Sequence, residues 1–275
     1  MRSMIGAGGM TAPVAALLAA LVGTLIVTFV TLTGCKTSSQ PTGVPTYTTS
    51  QRSKAAQANL QLGMGYLQQG NLALAKDKIE RANLEDPHSA EIHAALGLLD
   101  ERLGKDKEAD KEYREALSLA PGDPSMLNNY AVYLCSHGRA PEGVHNFELA
   151  AGNPLYRSPW AAYTNAGVCQ RQAHHETEAA QQFARALQSN PAYSEAVFQA
   201  SDLDLAQQKY AVARLRVDFY LTNNTATPDL LLLGWRIAQA QADAAGAARY
   251  AQRLSKEFPN SAQARSLAAN QANPG

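Results

Sequence analysis

Three cysteines carry the most reactive side chains of this chain, and they stand in two different settings. Cys35 follows Leu-Thr-Gly at the end of a long uncharged apolar segment, whereas Cys135 and Cys169 lie in the middle of the chain. A thiol at the end of a leader segment is a candidate for lipid attachment. Two thiols in an oxidising compartment are candidates for a disulfide bond.

The apolar segment 12–32 predicts a signal peptide, because it holds no charged residue and follows Arg2. The tetrapeptide 32–35 resembles the lipobox of bacterial lipoproteins, in which the cysteine receives a diacylglycerol and becomes the new N-terminus. We therefore predict a signal peptide over residues 1–34 and lipidation of Cys35. The alternative is a transmembrane anchor, since a bilayer is spanned by about 20 apolar residues, with Cys35 incidental.

The residues after Cys35 indicate a cellular location and a flexible linker. In Gram-negative lipoproteins an aspartate directly after the cysteine tends to retain the protein at the inner membrane, so Lys36 favours the outer membrane. We predict an anchor in the inner leaflet of the outer membrane and a domain that faces the periplasm. Polar residues, prolines and glycine dominate the following stretch, so residues 35–55 are expected to form the lipidated cysteine and a flexible linker.

Composition limits the remaining possibilities. The chain has 275 residues, of which 45% are hydrophobic and 17% charged, enough for a sizeable core. Without residues 1–34 it keeps 23 basic and 24 acidic side chains, because the leader contains one arginine and no acid. A net charge of about minus one and the absence of a Lys/Arg block argue against a nucleic-acid partner.

Signals for an enzyme are poor. The sequence has no Gly-x-Ser-x-Gly, His-Glu-x-x-His, P-loop or Cys-x-x-Cys motif, and no dinucleotide-binding fingerprint. His174, His175 and Glu176 are adjacent where a turn is expected, and neighbouring side chains on a turn diverge, which favours a solvated turn over a metal site. We predict no catalytic activity, no metal, no cofactor and no small-molecule substrate.

A repeat of 34 residues organises the rest of the chain. Residues 62–87 superpose on 96–121 with small residues, large apolar residues and a final proline at matching places. This pattern resembles the tetratricopeptide repeat, a pair of antiparallel helices that buries its apolar face by stacking on its neighbours. The matched residues are Leu62, Gly63, Gly70, Ala75, Ile79, Ala82 and Pro87, against Leu96, Gly97, Gly104, Ala109, Tyr113, Ala116 and Pro121.

The repeat predicts an all-α fold, a right-handed superhelical solenoid of about six tetratricopeptide repeats with twelve antiparallel helices. The solenoid domain is expected over residues 56–267 and a frayed tail over 268–275. The third unit ends irregularly, so the fourth begins two residues late, and Gly234-Trp235 inverts the order expected in the sixth. The repeats lie near 56–89, 90–123, 124–159, 160–193, 194–227 and 228–261, followed by a short cap.

Cys135 and Cys169 fall at positions 12 and 10 of the first helices of repeats three and four. Neighbouring first helices lie side by side in such a solenoid, so a disulfide is sterically plausible, and an oxidising periplasm would favour it. The alternative is that each cysteine is buried separately as a small apolar residue.

Positions 2, 5, 9, 12 and 13 of each first helix line the concave face in tetratricopeptide proteins. At the start of the chain these positions are largely apolar, which favours binding of an amphipathic helix or an added strand from a partner protein. The alternative for Leu60, Met64 and Leu67 is packing within the first repeat. The predicted protein-binding groove consists of Leu60, Met64, Leu67, Leu98, Arg102, Asn128 and Val132.

The third and fourth repeats contain a more specific resemblance. Residues 128–135 read Asn-Asn-Tyr-Ala-Val-Tyr-Leu-Cys, followed by the irregular Asn-Pro-Leu-Tyr of 153–156 and by Asn-Ala-Gly-Val-Cys at 165–169. These segments, with 231–238 and 258–261 downstream, resemble the type IV pilus biogenesis lipoproteins of the PilF/PilW family. Ala131, where the family usually has glycine, and Trp235 are departures.

The resemblance implies a six-repeat outer-membrane lipoprotein that acts as a pilotin, binding the outer-membrane secretin of the type IV pilus machinery and promoting its localisation and multimerisation. A different hypothesis is a general periplasmic adaptor that docks cell-wall hydrolases or proteases, because a tethered groove suits both tasks.

Overall fold

The computed structural model describes residues 49–272, and this part of the chain consists of thirteen α-helices and no strand. No helix within it is both long and apolar enough to cross a membrane. The predicted signal peptide and Cys35 lie outside the described residues. The helices are α1 (Thr49–Gln68), α2 (Leu72–Glu85), α3 (Ala90–Arg102), α4 (Asp106–Leu119), α5 (Pro124–Ser136), α6 (Ala140–Gly152), α7 (Pro159–Gln172), α8 (Glu176–Ser189), α9 (Ser194–Ala206), α10 (Tyr210–Asn223), α11 (Pro228–Ala240), α12 (Ala244–Glu257) and α13 (Ala262–Ala272).

Close approach of two backbones creates each helix pair. Gly97 of α3 lies against the ring of Tyr113 in α4, and a Cβ atom there would come 3.0 Å from that ring. Gly167 and Phe183 repeat the arrangement in α7 and α8, where Phe183 is completely buried. In both repeats a small residue of the first helix and a large residue of the second make one interlocking contact, as the sequence period predicts.

Stacking is sequential, which confirms the predicted all-α tetratricopeptide solenoid. Each helix contacts its neighbours in the chain, and first helices also contact the first helix of the next repeat, as α3 does with α5 and α5 with α7. The buried side chains accordingly form a row of clusters along the stack, rather than one central core. First helices line one surface, and this surface contains the predicted groove.

In the sixth repeat, the inverted Gly-Trp order accompanies a shift of the contact between the paired helices. Gly234 packs against the ring of Tyr250, which lies one residue earlier in α12 than the equivalent large residue of the other second helices. The glycine and the ring have therefore both moved one place along the chain, and their contact is retained. Tyr250 is buried as a result, and its hydroxyl donates a hydrogen bond to Asp218 of α10.

Both ends of the solenoid extend further than expected. α1 begins at Thr49, inside the stretch expected to be linker, and α13 continues to Ala272, inside the predicted frayed tail. Alanine and glutamine are good helix formers, and extending an existing helix is much easier than starting one. Ala56 in α1 and Leu267 in α13 are buried, so tertiary contacts hold the two helices that the extensions continue.

Candidate protein-binding groove

A groove runs across the first helices of repeats one to three. Leu60 and Met64 of α1, Leu98 of α3 and Val132 of α5 face each other across it, and it encloses about 340 Å³. Val132 is 47% exposed, although most apolar side chains of its helix are buried. The full lining is Leu60, Met64, Glu91, Ala94, Ala95, Leu98, Glu101, Tyr113, Met126, Asn129 and Val132.

Four of the seven predicted groove residues line this cavity, and three do not. Leu67 is only 5% exposed and packs with Ala75 and Ile79 of α2 in the core, so its assignment to the groove was wrong. The last turn of α1 is covered by α2, which turns this side chain inward. Leu67 thus follows the alternative of packing within the first repeat.

Arg102 and Asn128 also lie outside the lining. Arg102 is exposed at the C-terminal end of α3, one residue beyond Glu101, and successive residues of a helix point about 100° apart. Asn128 is half-buried, and its side-chain oxygen accepts a hydrogen bond of 3.2 Å from Asn165 of α7. Asn128 therefore joins two first helices, instead of facing a partner.

Sequence reasoning missed several lining residues. Glu91 occupies position 2 of its helix, which the repeat pattern does assign to the concave face. Ala95 and Asn129 occupy position 6, and Tyr113 reaches the cavity from the second helix α4. Glu91 and Asn129 are exposed, whereas Ala95 and Tyr113 are buried. All four border the cavity because of the spacing between neighbouring first helices, and no one-dimensional pattern contains that spacing.

A second, smaller cavity of about 160 Å³ continues the groove toward repeat four. Cys135 and Cys169 line it as a disulfide, with an S–S distance of 2.01 Å and Cα atoms 5.5 Å apart. Val132 borders both cavities, and Val168 borders the second, so the apolar surface is continuous across four repeats. The disulfide links α5 to α7 within this surface.

The concave surface becomes charged from the end of α7 onward. Asp202 of α9 lies 2.7 Å from Arg171 of α7 and 3.1 Å from Arg236 of α11. Asp202 and Arg236 stand at position 9, where repeats one to four have Met64, Leu98, Val132 and Val168. The paired charges of repeats four to six thus differ in chemistry from the apolar groove, which ends at repeat four.

Tyr113 closes the floor of the groove. Burial raises the pKa of its phenol, and the nearby Glu101 carboxylate raises that pKa further. The neutral hydroxyl donates a hydrogen bond of 3.4 Å to Glu101. Tyr130 and Tyr133 of α5 pack on the Tyr113 ring, with centroids 6.0 and 5.2 Å away, and so hold α5 against α4.

The histidine cluster lies at the expected turn. His174 and His175 are exposed between α7 and α8, and His175 Nδ1 lies 2.9 Å from the side-chain oxygen of Gln170. Within residues 49–272, no group of three or more His, Cys, Asp or Glu side chains is arranged to hold a metal ion.

Comparison with known proteins identifies the relatives of this fold. The tetratricopeptide repeat family matches residues 90–123, the second repeat. The chain is 33% identical over 230 residues to the type IV pilus assembly protein PilF of Pseudomonas aeruginosa, which covers 84% of this chain and 90% of PilF.

Two solved structures resemble the molecule as well. The structure of Pseudomonas aeruginosa PilF has a TM-score of 0.61 and 31% sequence identity, and covers 80% of this chain and 99% of its own. PilW, described as a widely conserved type IV pilus biogenesis factor, has a TM-score of 0.62 and 26% identity, with coverage of 77% and 97%.

The fold and the groove define a tetratricopeptide-repeat scaffold, a class of protein that generally binds other proteins on its concave surface. The sequence identity and coverage then give the family. This chain belongs to the family of the type IV pilus assembly protein PilF.

Proposed function

We propose that this protein is a non-catalytic lipoprotein pilotin, which binds the pilus secretin and promotes its localisation and multimerisation in the outer membrane. Membership of the PilF family supports a role in type IV pilus biogenesis. The observation that carries the binding proposal is the apolar groove of repeats one to four. A partner segment that covers its exposed apolar side chains removes them from water, and this favours binding.

The proposed mechanism separates binding from anchoring. The groove takes an exposed segment of a secretin subunit, and acyl chains on Cys35 hold the complex at the inner leaflet of the outer membrane. A single acyl chain binds membranes only marginally, so the several chains of a lipoprotein provide the durable anchor that this role needs. The solenoid itself faces the periplasm in this proposal.

One substitution tests the groove directly. Leu98→Asp places a charge at the centre of the lining, and should abolish complementation of a deletion strain, measured as loss of heat-resistant secretin multimers on blots. Leu215→Asp is the matched control, because Leu215 is 72% exposed on α10, outside the groove. It should retain multimers. Normal multimers and twitching in the deletion strain itself would contradict the pilotin role.

A general periplasmic adaptor remains the competing function, and affinity purification distinguishes the two. Wild-type protein purified from detergent-solubilised envelopes should recover secretin, and the Leu98→Asp variant should not. Recovery of cell-wall hydrolases or proteases without secretin would support the adaptor instead.

A further inference from the structure

Two carboxylates stand in the otherwise uncharged lining of the groove. Glu91 is exposed in the first turn of α3, and Glu101 is half-buried near the end of the same helix. The other lining side chains carry no charge, and Arg102 of α3 is not among them. The groove is therefore lined mainly by uncharged side chains and carries two negative charges.

The structure leaves both carboxylates available. Glu101 accepts hydrogen bonds of 3.4 Å from Tyr113 and Ser136, and within residues 49–272 neither Glu91 nor Glu101 has an ion-pair partner. The nearby cation Lys105 pairs with Asp100 instead. A partner segment that covers the groove removes water from these carboxylates, which is unfavourable unless the segment supplies opposite charge.

The positions of the two carboxylates set the spacing of that charge. Ten residues of one helix separate them, about 15 Å along the axis at 1.5 Å per residue, and Leu98 lies between them in the lining. We propose that the groove selects an amphipathic partner segment whose apolar side chains enter the groove and whose lysine or arginine side chains pair with Glu91 and Glu101. This inference rests on the proposed function of the groove and adds the chemistry of its partner.

Two synthetic amphipathic helices with the same leucine pattern provide the probes. One has lysines flanking the leucines, spaced to meet both carboxylates, and the other has glutamates at those positions. Binding to the full chain in detergent should favour the lysine peptide by about tenfold at low salt, and the preference should fall as salt screens the charges. The double variant Glu91→Gln, Glu101→Gln should bind the lysine peptide about three- to tenfold more weakly than the wild type.

Glu195→Gln is the matched control. Glu195 is exposed at position 2 of the first helix of repeat five, the place that Glu91 has in repeat two, but lies outside the apolar groove. This variant should bind both peptides as the wild type does, and thermal unfolding should verify that every variant is folded.

The outcomes separate the partner's chemistry from the function of the groove. Equal affinity for both peptides, or an unchanged preference in the double variant, would overturn the charge proposal, even if Leu98→Asp still abolishes peptide binding and secretin multimers. If Leu98→Asp changes neither, the groove is not the binding site, and both proposals fail. Stronger binding of the glutamate peptide would likewise overturn the inference.

Discussion

At the scale of single residues, Asp110 shows how one carboxylate supports the solenoid behind the groove. Its Oδ1 accepts hydrogen bonds of 2.8 Å from the Tyr130 hydroxyl and from Arg139, and Oδ2 lies 2.8 Å from Arg114. Burial works to raise the pKa of Asp110, but hydrogen bonds from Tyr130 and Arg139 outweigh it, and the net shift is downward. The charged form of Asp110 thus stabilises the contact of α4 with α5 and α6.

This shift predicts a loss of stability in acid. A carboxyl group whose pKa is lower in the folded state stabilises the fold above its unfolded pKa of about 3.9, and that contribution disappears as pH falls through the lower folded value. In urea titrations, Asp110→Asn should be less stable than the wild type at neutral pH, and the difference should shrink below about pH 4. Glu108→Gln, an exposed change on the same helix, should be nearly neutral. A constant difference between Asp110→Asn and the wild type from neutral to acidic pH would contradict the assignment.

At the scale of secondary-structure elements, the turns between paired helices divide the molecule. Gly70, Gly104 and Gly138 have φ angles of +74°, +70° and +73° in the first three repeats. His174, Gln208 and Ala242 occupy the same turn position in the last three, with φ between +56° and +61°. Residues with a Cβ atom are strained in this left-handed conformation by about 1–2 kcal/mol, whereas glycine is not.

The strained turns predict a stabilising glycine. Ala242→Gly should raise the free energy of unfolding by about 0.5 kcal/mol, because relief of strain exceeds the extra flexibility that glycine gives the unfolded chain. The opposite change, Gly104→Ala, should destabilise by about 1 kcal/mol or more. Urea unfolding curves measure both changes in the free energy of unfolding.

A control in a regular helix isolates the turn effect. Ala248 is exposed within α12, only six residues after Ala242. Ala248→Gly should destabilise by about 1 kcal/mol, the usual penalty for glycine inside a helix. Equal destabilisation by Ala242→Gly and Ala248→Gly would show that the turn conformation does not matter.

The connection between α6 and α7 absorbs the two-residue insertion. Asn153 accepts a hydrogen bond from the Leu155 amide at 2.9 Å, and its own amide donates to the Gly122 carbonyl at 3.0 Å. These contacts tie the longer loop to the preceding inter-repeat turn. The sequence predicted the insertion and its place, but the contact with Gly122 depends on how repeats two and three stack.

At the scale of the whole molecule, the disulfide links two repeats of a chain that otherwise holds together through neighbour contacts. A solenoid lacks a common core, so its stability is approximately the sum of the repeats and their interfaces. The Cys135–Cys169 bond closes a loop with a sequence separation of 34. In the chain-entropy view, closing such a loop stabilises the fold by about 4 kcal/mol, less any strain.

Reduction therefore should lower the free energy of unfolding by several kcal/mol, measured by urea titration with and without a thiol reductant. The variant Cys135→Ala, Cys169→Ala should lie near the reduced wild type and should not respond to the reductant. Labelling of the unreduced, denatured protein with a thiol reagent should leave Cys135 and Cys169 unmodified. Modification of both would contradict the disulfide in the isolated protein.

The sequence by itself determined the architecture of this protein. A period of 34 residues places small residues opposite large ones, as Gly97 and Tyr113 illustrate. This pattern is typical of stacked helix pairs. The family resemblance followed from the irregular third and fourth repeats, and sequence identity with PilF supports it.

Only the tertiary structure decided which side chains form the groove. Leu60 and Leu67 both fit an apolar first helix, but α2 covers Leu67 and leaves Leu60 facing the cavity. Successive residues of a helix point about 100° apart, so an uncertainty of one residue in the repeat frame exchanges core for surface. Glu91 and Glu101 also line the groove because of tertiary packing. The spacing of α1, α3 and α5, rather than the composition of any one helix, determines which side chains a partner can contact.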